Sequence, residues 1–79
     1  MVLGDMMIYE RIRTLRERNH FTQEYVGKQI NVPQRTYAYY ESGQRMIPPH
    51  VLSALADFYK TSVDYLLDRT NCFVPYPNK

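Results

Sequence analysis

The sequence predicts a compact all-α domain of five short helices with a short C-terminal tail, and three observations carry that expectation. Apolar residues recur at helical spacing along most of the chain. Between these stretches stand residues that start or stop helices: Thr22, Asn31, Pro33, Gly43, Pro48 and Ser62. No segment alternates apolar and polar residues as a half-buried strand does. The resulting division is a domain over residues 1–69 and a tail over 70–79.

In the first helix Ile8, Ile12 and Leu15 fall at i, i+4 and i+7 and line one face. Asp5 serves as its cap and Asn19-His20 mark its end. Thr22 caps a second helix, and Glu24 sits in its first turn, where a negative charge complements the dipole. Val26 and Ile30 point inward, and Asn31, which tolerates a left-handed backbone, stops the helix. Pro33 opens the third helix, where a missing N–H costs nothing. Tyr37 and Tyr40 face inward, and the helix ends near Ser42-Gly43. Pro48 and Pro49 start a fourth helix with an inward stripe of Val51, Leu52, Leu55, Ala56 and Tyr59. Ser62 caps a short fifth helix carrying Val63, Leu66 and Leu67. Two prolines keep the tail from continuing as a helix. Its Cys72, Phe73, Val74 and Tyr76 suit packing onto helices one and five, contact across a two-fold axis, or no fixed structure.

Composition narrows the function classes. A chain of 79 residues buries a smaller fraction of its surface than a larger protein does, so its stability margin is thin. Cys72 is the only cysteine, which rules out an internal disulfide and suits a reducing, cytoplasmic setting. His20 and His50 stand in no ligand spacing, so neither a metal nor any other cofactor is expected. The opening residues lack a cleavage-site pattern, and no apolar run approaches the roughly 20 residues that span a bilayer, so no membrane partner is expected. Enzymatic chemistry finds no phosphate-cradling glycine loop, no acid–base pair and nothing to activate Cys72. Charge is uneven within a net +2: Arg11, Arg13, Arg16, Arg18, Lys28, Arg35 and Arg45 outnumber the acids before position 46, and the remainder is balanced. That bias suits phosphate contact.

The segment 22–41, followed by Ser42-Gly43, carries the functional signal. Two short helices separated by a tight break form the geometry of a helix-turn-helix, whose second helix enters the major groove of DNA. Gly27 sits where the helices cross, and Val26, Ile30, Val32 and Tyr37 set the crossing angle. The outer edge of the third helix, residues 33–41, then reads Gln34, Arg35, Ala38, Tyr39. Arginine can donate two bonds to guanine, and glutamine pairs similarly with adenine. Tyr39 offers a hydroxyl and a ring to the same surface.

The span from Ile8 to Leu67 resembles the phage-repressor-like (XRE-type, Cro/repressor) helix-turn-helix family. The residues that carry the likeness are I-R-T-L-R at 12–16, T-Q-E at 22–24, V-P-Q-R-T-Y-A-Y-Y-E-S-G at 32–43, Leu55-Ala56 and S-V-D-Y-L-L at 62–67. The resemblance implies a lambda-repressor-like fold that binds double-stranded DNA, with Gln34, Arg35 and Tyr39 reading bases. It implies phosphate contacts from Gln23, Gln44 and Arg45, and a structural ion pair between Arg16 and Glu41. The chain departs from the family pattern in four places. Pro33 replaces a hydroxyl cap, Asn31 a turn glycine, Lys60 a helix-ending glycine or asparagine, and Tyr37 an aliphatic residue.

The expected function is therefore a small transcriptional regulator, a repressor that binds a palindromic site as a homodimer at least on DNA. The competing expectation is an antitoxin or anti-repressor that uses the same scaffold to hold a protein partner. The polar, basic edge of the third helix favours DNA, because a protein-binding face presents aromatic or aliphatic anchors.

Overall fold

The computed structural model describes residues 9–74. Over them the chain forms α1 (Glu10–Arg18), α2 (Gln23–Gln29), α3 (Gln34–Ser42), α4 (Pro49–Tyr59) and α5 (Val63–Leu66). Asp5, expected as a cap, and Ile8 and Tyr76 lie outside the described residues.

Local chemistry accounts for most helix starts. The Thr22 hydroxyl accepts from the Tyr25 N–H at 3.0 Å, and the Ser62 hydroxyl accepts from the Tyr65 N–H at the same distance. Pro49 is the first residue of α4, with Pro48 as its N-cap. Pro33, expected as the first residue of α3, instead stands one position outside it as the N-cap, and no side-chain bond caps that helix. Its ring fixes φ at −58° while ψ is 147°, so the helix begins only at Gln34.

All five helices end in one way. The residue after the last turn takes the left-handed conformation: His20 (φ 59°), Asn31 (φ 60°), Gly43 (φ 83°), Lys60 (φ 58°) and Asp68 (φ 64°). The next N–H then reaches back to the carbonyl five residues earlier. These bonds join Phe21 to Arg16, Val32 to Gly27, Gln44 to Tyr39, Thr61 to Ala56 and Arg69 to Asp64, at 2.8–3.0 Å. This is the Schellman arrangement, which satisfies otherwise orphaned carbonyls. It normally uses glycine, because a left-handed backbone costs other residues roughly 1–2 kcal/mol. Only Gly43 meets that requirement without strain; Asn31 tolerates it through its short polar side chain.

The core is enclosed by Ile12, Val26, Tyr37, Leu55 and Leu66, with Leu15, Ile30, Tyr40, Val51 and Ala56 around them. Helix α2 packs on α3, α4 packs on α5, and α1 touches both α3 and α5. Leu52 and Tyr59, expected inward, are half-buried against this core. Two core members were not legible from spacing: Tyr9, whose hydroxyl accepts from the Ile47 N–H at 3.1 Å, and Ile47 itself. Phe21, Tyr25, Phe58 and Tyr59 form an aromatic seam between the start of α2 and the end of α4.

Thr70, Asn71 and Phe73 tie the start of the tail to α1 and the α4–α5 region. The Arg11 guanidinium donates to the Thr70 carbonyl at 2.6 Å and to Asn71 Oδ1 at 2.9 Å, pairs with Asp68 at 3.0 Å, and covers the Tyr65 ring. Thr61 donates to the Phe73 carbonyl, and the Phe73 ring meets Tyr65 edge-on.

At Gly27 a Cβ would stand 2.7 Å from the Val32 carbonyl oxygen, a backbone atom. Gly27→Ala should therefore destabilise by about 1–3 kcal/mol, as overpacking does. Lys60→Gly should stabilise by up to about 1 kcal/mol, because relief of left-handed strain exceeds the added chain entropy of glycine. Thermal unfolding followed by circular dichroism would show the midpoint falling in the first variant and rising in the second.

Candidate nucleic-acid interface

Three helices each contribute to one buried polar cluster. Tyr37 and Glu41 stand one turn apart on α3, so their side chains meet. Arg16 comes from α1 and Gln23 opens α2. The Glu41 side chain is only 3% exposed, and both its oxygens are doubly engaged. Oε2 accepts from Arg16 Nε and from the Tyr37 hydroxyl, both at 2.6 Å. Oε1 accepts from Arg16 Nη2 and from Gln23 Nε2, both at 3.1 Å. Arg16 Nη1 in turn donates to the Phe21 carbonyl at 3.0 Å, fastening the turn between α1 and α2.

The electrostatics follow from this geometry. Burial pushes the Glu41 carboxyl up, but hydrogen bonds from Arg16, Tyr37 and Gln23, together with the Arg16 charge, outweigh it and hold the group below its ordinary range. Arg16 is raised by its hydrogen bond to Glu41. Tyr37 is raised by burial and by its bond to Glu41, and burial pushes Tyr59 up to about 12. None of these groups is tuned to exchange a proton near neutral pH. The cluster fixes positions.

What it positions is the outer face of α3. Arg35, Ala38, Tyr39 and Ser42 recur at helical spacing on the side away from buried Tyr37, Tyr40 and Glu41, and Gln34 joins them at the exposed first turn. Gln34 and Arg35 are exposed on the first turn, and Ala38 and Tyr39 are half-buried. Gln23 shares a shallow cleft with Ala38 and Ser42, which places it beside this face. At the far end, the Tyr39 carbonyl accepts from the Gln44 N–H at 2.9 Å, the Arg45 N–H at 3.3 Å and the Ser42 hydroxyl at 3.1 Å. The Arg45 guanidinium lies over the Tyr39 ring, 4.9 Å from its centroid. Gln34 and Arg35 thus stand together, while Tyr39 groups with Gln44 and Arg45. Gln23 is bound into the Arg16–Glu41 cluster. Sequence reasoning missed the part played by the Tyr37 hydroxyl, although its i, i+4 relation to Glu41 was available as a signal.

A helix-turn-helix family model matches residues 12–66. The chain is similar to two proteins of Bacillus subtilis (strain 168). With the HTH-type transcriptional regulator AnsR it shares 35% identity over 63 residues, covering 80% of this chain and 54% of that protein. With an uncharacterized HTH-type transcriptional regulator, YobD, it shares 34% identity over 65 residues, covering 82% and 58%. The chain spans just over half the length of these relatives. No solved structure matches it. No helix among the described residues is long and apolar enough to cross a membrane.

Because the folded Glu41 carboxyl sits below its ordinary value of 4.5, its contribution to stability is present above that pH and is lost as pH falls through the lower folded value. Urea midpoints should therefore decline below about pH 4.5 in the wild type. Glu41→Gln strands a largely buried guanidinium, so it should cost roughly 3 kcal/mol at neutral pH and flatten the acid decline. An unchanged urea midpoint at pH 7 would show that the cluster does not brace the fold.

Proposed function

The chain belongs to the phage-repressor-like (XRE-type) helix-turn-helix family of DNA-binding transcriptional regulators, and on that premise we propose that it is a cytoplasmic repressor binding a short palindromic operator as a homodimer. Helix α3 lies in the major groove, and α2 braces it from behind. The observation that carries this reading is the division of α3 into two faces. Tyr37, Tyr40 and Glu41 are committed to the interior, while Gln34 and Arg35 are left uncovered on the first turn. Those two side chains have the donor and acceptor pattern that distinguishes adenine and guanine in the major groove. Tyr39 stands one turn further along the same edge. Gln23, Gln44 and Arg45 flank it and contact phosphates.

One recognition helix touches few base pairs, so two copies reading half-sites about one helical turn apart supply the missing specificity. A partner-protein module on the same scaffold would need apolar anchors along α3; Gln34, Arg35 and Ser42 do not provide them, and the Tyr39 ring, the aromatic that would favour such a partner, has Arg45 over it.

Arg35→Ala should lower discrimination at one base position by roughly 1–3 kcal/mol and leave binding to random DNA nearly unchanged. Arg45→Ala should weaken specific and random duplexes alike and make the salt dependence shallower by about one phosphate contact. Equal losses on both DNAs for Arg35→Ala would refute its base-reading role. Sedimentation of the saturated complex should give two protomers per operator.

A further inference from the structure

We infer that Tyr39 acts on DNA through Arg45: its ring and its carbonyl together hold the guanidinium ready for a backbone phosphate, so Tyr39 is a positioning residue. The inference deepens the duplex-binding reading above and rests on it.

Two independent attachments converge on Arg45. The first is backbone. Left-handed Gly43 turns the chain back after α3, and the Gln44 and Arg45 N–H groups both close onto the Tyr39 carbonyl. This places the Arg45 Cα over the last turn of the helix that carries Tyr39. The second is side chain, where the Arg45 guanidinium carbon lies over the Tyr39 ring, 4.9 Å from its centroid, a cation–π contact.

Such a contact spends no N–H group on an oxygen acceptor, which leaves those at the guanidinium rim free to donate. Comparison with the other well-held arginines shows why that matters. Arg16 gives its fork to Glu41 and the Phe21 carbonyl, and Arg11 gives its fork to Asp68 and residues 70–71. Arg45 is attached by its backbone N–H and by the Tyr39 ring, yet among the described residues its side chain has no ion pair or hydrogen bond. An exposed arginine ordinarily loses much rotamer freedom when it grips an anion. Here part of that ordering has been done before the ligand arrives. The ligand its rim suits is a phosphodiester oxygen, which takes paired N–H donors from arginine. One face of the Tyr39 ring is meanwhile covered, which leaves that residue poorly placed to meet a base squarely.

The test uses Tyr39→Phe, Tyr39→Leu, Arg45→Ala and the Tyr39→Leu/Arg45→Ala double variant. Each is titrated with a random-sequence duplex, and with a duplex selected from a random pool, across about 50–200 mM salt. The free proteins are compared by NMR for ring-current shifts of the Arg45 side-chain protons. The expected result is that Tyr39→Phe matches the wild type throughout. Tyr39→Leu should lose the ring-current shift and weaken both duplexes several-fold. Adding it to Arg45→Ala should cause no further loss, and Arg45→Ala alone should lower the salt slope by about 0.9. The inference is overturned if Tyr39→Phe is as damaging as Tyr39→Leu, if the two losses are additive, or if Tyr39→Leu alters preference at one base position only. Failure of the wild type to bind any duplex while the Arg45 shift persists would instead remove the DNA-binding reading beneath it.

Discussion

The carboxylate of Glu41 is the group on which the arrangement of the first three helices turns. A charge with so little contact with water is costly unless every lone pair is occupied. Here all four acceptor positions are filled, by donors drawn from α1, α2 and α3. The cost of failure is what makes such a cluster a specifying device. Shifting any one helix would leave a buried donor or acceptor unmatched, at roughly 1–3 kcal/mol for each uncharged group and more for a charged one. An aliphatic residue at position 37 would fill the core but could not donate to Oε2. The tyrosine found there therefore ties the interior of α3 to the same cluster that anchors α1.

The helix ends show how the chain manages with few glycines. Each of the five turns needs a left-handed residue, and four are supplied by His20, Asn31, Lys60 and Asp68. Tertiary contact holds the strain in place. Phe21, Val32 and Thr61, the residues just after three of those positions, pack into or against the core. Burial of these followers offsets the backbone penalty at the residues before them.

Most of the fold was legible from the amino-acid order because its determinants are local. Thr22 and Ser62 cap through bonds spanning three residues, and Asn31 signals a stop by its tolerance of a left-handed backbone, whereas the turn at Lys60 is indicated only by the family resemblance. Pro33 reads as the first helical residue from its missing N–H and as the cap position from the family resemblance, because its fixed φ suits both places, and the second reading holds. Tyr9 and Ile47 escaped notice for the opposite reason. Their bond joins residues 38 apart, and neither neighbourhood signals it. At the candidate interface, residue types and spacing pointed to a face of α3 that the structure leaves uncovered at Gln34 and Arg35. The pairing of Tyr39 with Arg45 could not be read that way, since it depends on where the loop after Gly43 folds back.

The close approach at Gly27 has a consequence for how the molecule adapts to a duplex. With no room for even a Cβ between Gly27 and the Val32 carbonyl, α2 and α3 cannot close further on each other at this crossing. A groove that called for a tighter pair would then be met by turning the two helices together. In a two-fold assembly, tolerance for half-site separation would accordingly reside in whatever joins the two copies, and bending within either one would contribute little.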